Sequence, residues 1–158
     1  MVQELSLLTT IGPVAIYTGW GGKYVAFIAN LDIDNDGTGP SHGDPSYQSQ
    51  TTYSPYLNAD VDQYVVTPPQ VRKGVAPVVI GCQARVTNLH KPSQWGWGVT
   101  GDVGPSNKCG EAAYCLAKIL NPSITHNSGD TSRIYLYEFW PGIPAVVGDK
   151  TYKLQPAG

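Results

Sequence analysis

A chain of 158 residues, 41% hydrophobic and only 14% charged, has the material for one domain with an ordinary core and not for two. Its formal net charge of -2 provides no basic field to hold a nucleic-acid backbone, and Gly, Pro or polar residues break every apolar run short of the roughly 18 residues a membrane helix needs. Eighteen Gly and thirteen Pro beside ten Tyr and four Trp describe short strands and many turns, with few long helices.

In chain order, the start MVQELSLLTTIGP carries Glu4 where a secretory signal has its basic region. The expectation is a protein without a visible export signal, cytoplasmic as written or released by another route such as a phage. VAIYTG and KYVAFIA read as two strands around a Gly-rich turn at Gly19 to Gly22, the second alternating Val25, Phe27 and Ala29 against Tyr24, Ala26 and Ile28. DIDNDGTGPSHGDPS then stops regular structure, being almost wholly Asp, Asn, Gly, Pro and Ser. YVVTPP is a short strand ended by its prolines. VAPVVIGCQARVTNL supplies two apolar runs around Gly81, and WGWGVTGDVG a further strand closing on Asp102. KCGEAAYCLAKILNP predicts the one good helix, with Ala112, Leu116, Ile119 and Leu120 on its apolar face, Glu111 at its opening and Pro122 as its stop. IYLYEFWPG is a last strong strand, and GDKTYKLQPAG adds one short one. Roughly six to eight strands around one helix, with no repeat and no linker, make 1–158 a single mainly β domain, most simply a small barrel.

Cys82, Cys109 and Cys115 have no metal-site spacing and read as buried thiols. His42, His90 and His126 stand alone in polar loops and read as solvated surface residues. Two of Trp20, Trp95, Trp97 and Trp140 are expected to be core; the others are candidate platforms for a sugar face.

The chemistry gathers at carboxylates. Asp32, Asp34 and Asp36 alternate before Gly37, which places Asp32 and Asp34 on one side if the strand continues. The spacing matches the first ligands of a calcium loop, but the twelfth position is Gly43 where a bidentate Glu is needed, so no metal is assigned; capping of turn amides is the plainer role. Asp102 stands at a strand end among Gly101, Gly104 and Pro105, and Glu111 follows nine positions later. Two such carboxyls suit glycosidic cleavage, one donating a proton to the leaving oxygen and one activating water. On that reading Asp102, desolvated by Trp95 or Trp97, is the acid and Glu111 the base. The plainer alternative has Asp102 capping its own turn and Glu111 capping a helix.

These same residues resemble the fungal and bacterial chitosanases of glycoside hydrolase family 75. ANLDIDNDG (29–37) resembles the family pattern A-D-M-D-I-D-C-D-G. DPSYQSQTTY and LNADVDQYVVTPP resemble its following segments, and NSGDTSRIYLYEFWPG its terminal strand. The most specific likeness is GDVGPSNKCGEAAYCLAKIL to the family's G-D-T-G-P followed by I-G-E-A-S. The likeness covers roughly residues 24–142 in unbroken order. It implies a six-stranded double-psi β-barrel and an endo-acting, inverting hydrolase of β-1,4 links next to glucosamine, without a cofactor. It also implies Asp102 and Glu111 as the catalytic pair, Asp32, Asp34 and Asp36 as acidic groove residues, and Gln48, Gln50 and Thr51 as contacts to sugar hydroxyls; Trp95 and Trp97 are the stacking platforms that aromatic chemistry adds. Asn35 stands where the family has Cys, Val103 where it has Thr, and Ala113 where it has Ser, marks of a divergent member. The expected partner is chitosan or a related amino-sugar polymer, including a bacterial wall glycan, with neither nucleic acid nor membrane. A non-catalytic carbohydrate-binding or structural module, phage or cell-surface associated, is the alternative.

Overall fold

The computed structural model describes residues 4–35 and 57–155. Among the described residues the chain is mainly β, with a closed six-stranded barrel and one α-helix, as expected. The barrel strands are β3 (Tyr24–Asp34), β4 (Tyr64–Thr67), β5 (Cys82–Asn88), β6 (Trp95–Val103), β7 (Glu111–Ala113) and β8 (Asp130–Pro144). Going round the wall the order is β3-β7-β4-β6-β5-β8, and β8 closes back on β3. Two neighbours, β3 with β7 and β4 with β6, run parallel; the other pairs are antiparallel.

Alternation explains which side of each strand faces in. Val25, Phe27, Ala29 and Leu31 of β3 point into the barrel, where Phe27 stacks on Tyr137 and Phe139 at centroid distances of 5.0 and 5.7 Å. The Tyr137 hydroxyl, wholly enclosed, donates to the Asn30 carbonyl at 2.7 Å, so its burial leaves no unmet donor. A hairpin of β1 (Ser6–Ile11) and β2 (Val14–Gly19) flanks the first half of β3 on the edge whose second half pairs with β7. Outside the wall a second cluster, Leu57, Tyr64, Val66, Val99, Ala113, Ala145 and Tyr152, is covered by the small ribbon β9 (Val146–Val147) and β10 (Lys150–Thr151).

The helix is shorter than the sequence predicts. Residues from Glu111 to Ala113 form β7, and α1 runs only over Tyr114–Leu120. Helical propensity loses here to the barrel, because β3 and β4 can be joined only by a further strand. Gly110 turns the chain into that slot at φ +100°, and its carbonyl accepts from the Asp32 N–H at 2.8 Å. The slot is tight: a Cβ on Gly110 would lie 2.6 Å from the Asn30 carbonyl oxygen. Glu111 is therefore a strand residue and not a helix cap. Leu116, Ala117 and Leu120 are buried, whereas Ile119, expected on the apolar face, is 43% exposed. Of the two runs around Gly81 only the second is a strand; Val78, Val79 and Ile80 pack into the interior as irregular chain. Strand β1 was not foreseen from sequence.

Candidate active site

Strand register brings the acids together. Asp102 of β6 is the partner of Val66 in β4, Val66 is the partner of Glu111 in β7, and Glu111 is the partner of Asp32 in β3. Partners across a sheet share a face, so the three carboxylates form one row over four adjacent strands. Glu111 and Asp102 lie two strands apart, about 9.6 Å at the backbone from the usual spacing. Asp34 is one step along β3 from Asp32 on the same side, as its alternation predicts. Asp34 and Asp102 are each 5% exposed, and Asp32 and Glu111 are half-buried.

Glu111 is the centre of this row electrostatically. Burial pushes its carboxyl up to about 8, and the charges of Asp34, Asp32 and Asp102 act in the same direction, with Lys108 opposing. A carboxyl so placed is mostly protonated at neutral pH and can give up a proton. Lys108 approaches Asp32 at 3.5 Å, and Asn30 Nδ2 donates to Asp32 Oδ1 at 2.9 Å. Asp102 Oδ1 accepts from the N–H of Val103 at 2.8 Å, so one oxygen caps its own turn as the plainer sequence reading holds. Gly104 leaves the space above Val66 open: a Cβ there would sit 3.1 Å from Val66 Cγ1 and 3.7 Å from Glu111 Oε1.

Trp95 and Trp97 are not part of this row. They lie near the start of β6, and Trp97 is five residues from Asp102, roughly 16 Å along the strand. They do not desolvate Asp102. None of the four Trp is core: Trp20, Trp95 and Trp97 are exposed and Trp140 is half-buried, which corrects the expectation of two core rings. The reason lies in strand parity, which turns Trp95 and Trp97 outward while Gly96 and Gly98 face Leu116.

His126 is no free surface residue either, since its Nε2 meets Asp60 Oδ1 at 2.8 Å and its ring stacks on Tyr114. His90 is exposed. All three cysteines are free thiols; Cys82 and Cys109 are buried and Cys115 is half-buried. Among the described residues no three His, Cys, Asp or Glu side chains are arranged to hold a metal ion. Asp36, His42, Gln48, Gln50 and Thr51 lie outside the described residues.

Sequence reasoning missed Lys108, the cation beside Asp32, and the spacer role of Val66. Neither is readable without the register of two parallel pairings between distant segments. No family model and no curated protein matches this chain.

Proposed function

We propose that this chain is a chitosanase-like glycoside hydrolase that cleaves β-1,4-linked glucosamine-containing polysaccharide with inversion, using Glu111 and Asp102. The observation that carries the proposal is the register Asp102, Val66, Glu111, Asp32, which places two carboxyls across one spacer residue. Side chains reaching from backbones about 9.6 Å apart can leave the about 6.5–9.5 Å that an inverting pair needs for its water. The raised proton affinity of Glu111 assigns the roles. Glu111, held at about 8, donates its proton to the glycosidic oxygen as the C1–O bond breaks. Asp102, as the base, takes a proton from the water that attacks C1 on the opposite face. This reverses the acid and base roles expected from desolvation of Asp102 by Trp95 or Trp97. Asp32 and Asp34 are placed to attract glucosamine ammonium groups, a local field that the overall charge of -2 conceals.

The test is release of short oligomers from chitosan and from peptidoglycan by the parent, Asp102→Asn and Glu111→Gln. Each substitution is expected to lower kcat by about 10²–10⁴-fold with the fold intact. Cleavage undiminished by both would reject the assignment. A non-catalytic carbohydrate-binding module is the second reading, favoured by the exposed aromatic rings distant from the acids; binding by the parent without any hydrolysis would establish it.

A further inference from the structure

A groove of about 550 Å³ opens on the outer wall, lined by Trp20, Lys23, Tyr24, Arg85, Glu138 and Trp140. It sits near the other end of β3 from the acids, with Tyr24 eight residue steps, roughly 26 Å of strand, from Asp32. Register again builds it. Ala26, Glu138, Arg85 and Trp97 are successive partners across β3, β8, β5 and β6, so they share the outward face, and Ala26 leaves room beside Glu138.

A carboxylate only 7% exposed on the outside of a barrel calls for a reason. Glu138 Oε1 accepts from Arg85 Nε at 2.9 Å, and Oε2 accepts from the Tyr24 hydroxyl at 2.5 Å. Held this way, the Arg85 guanidinium lies 5.3 Å from the centre of the Trp97 ring and 5.5 Å from that of Trp140. Rings then follow one another without a break: Trp20 to Tyr24 at 5.0 Å, Tyr24 to Trp140 at 5.6 Å, Trp140 to Trp97 at 6.0 Å, and Trp97 to Trp95 at 5.6 Å. Trp20 closes the row from a backbone at φ +50°, the only non-glycine residue among those described with a positive φ, and its ring is 51% exposed. Such a backbone is strained for a residue with a side chain, and a half-exposed ring returns little of that to the fold.

The polar chemistry narrows the ligand. Both oxygens of Glu138 are engaged, so the groove offers a visitor mainly donors, from the Arg85 guanidinium and the Lys23 ammonium. Flat rings suit the C–H faces of pyranose units, and donors suit the carbonyl oxygen of an acetamido group. The ion pair with Glu138 offsets the charge of Arg85, and Lys23 is the cation that repels a free sugar ammonium. We propose that this groove is a second glycan site, which holds N-acetylated stretches of a β-1,4 amino-sugar polymer while the acidic row takes its ammonium-bearing units. From the hydrolase reading it borrows only that the protein meets such polymers.

The test is calorimetric and fluorescence titration of the full chain with the fully N-acetylated and the fully deacetylated glucosamine hexamers. The acetylated hexamer should bind and quench tryptophan emission, and should still bind Glu111→Gln. Trp20→Gly, which relaxes the left-handed backbone, should weaken binding about tenfold or more while leaving thermal stability unchanged or raised. Trp140→Ala provides a second reading of the same loss. No binding of the acetylated hexamer, binding that survives both Trp changes, or loss of deacetylated-hexamer binding to the same degree on those Trp changes would overturn the proposal. Hydrolysis is scored separately, so a chain that binds here and cleaves nothing would retain this site and lose only the catalytic reading.

Discussion

At the residue scale, the proton affinity of Glu111 connects chemistry with stability. Its carboxyl titrates at about 8 in the folded chain against an ordinary value of 4.5, so between those pH values the native state binds more protons than the unfolded one. Native stability therefore falls as pH rises from 4.5 to about 8, and the penalty is complete above that. One pKa unit corresponds to about 1.4 kcal/mol, which makes the penalty a few kcal/mol for this half-buried group. Glu111→Gln removes it. The variant should melt higher than the parent by roughly 5 °C at about pH 9, with the difference gone by about pH 4, in thermal scans across that range. A constant difference at all pH values would mean that burial does not hold the proton on Glu111. The same group sets the alkaline limb of catalysis: kcat/KM for chitosan should fall as pH rises through about 8, because the donor is then ionised. Gly104→Ala should raise KM and leave the pH profile in place, since a methyl group there fills space 3.7 Å from Glu111 Oε1 without altering its charge environment.

At the scale of elements, β7 is the piece on which the acidic row depends. It has three residues, and it is held between β3 and β4 by the turn at Gly110. Gly110→Ala forces a Cβ to within 2.6 Å of the Asn30 oxygen on a backbone at φ +100°, and should cost roughly 2 kcal/mol or more in urea unfolding. Activity should fall further than that loss explains, because Glu111 moves with the strand. This element also marks where the sequence is legible and where it is not. The strand nature of β3, β6 and β8 follows from alternation, and Asp102 stands at a strand end as its Gly and Pro neighbours imply. Glu111 to Ala113 have the composition of a helix start, and only the closure of a barrel by distant strands makes them a strand. Local pattern carries no record of that requirement, nor of the length of β6 that separates Trp95 and Trp97 from the acids. Arg85 and Glu138 were equally unreadable as a pair, being ordinary outward residues until β5 and β8 are set side by side.

At the scale of the whole molecule, charge is divided between two places that the net figure of -2 hides. Asp32, Asp34 and Asp102 gather around the protonated Glu111 at one region of the wall, while Lys23 and the Arg85–Glu138 ion pair border the aromatic groove near its other end. Capture of a cationic polymer by the first should weaken as salt shortens the range of the field to below about 8 Å. Raising sodium chloride from about 0.05 to about 0.5 M is expected to increase KM for chitosan several-fold with kcat nearly constant, and a KM indifferent to salt would argue against electrostatic capture.

The parallel partnership of β3 with β7 has a kinetic corollary. Asp32 and Glu111 come from distant parts of the sequence and become neighbours only once the intervening strands have found their places, a pairing that is intrinsically slow to form. After dilution from denaturant, the far-ultraviolet circular dichroism of the strands should recover ahead of, or together with, the capacity to turn over substrate, and never behind it. Regain of activity would then serve as a clock for the last stitch in the wall.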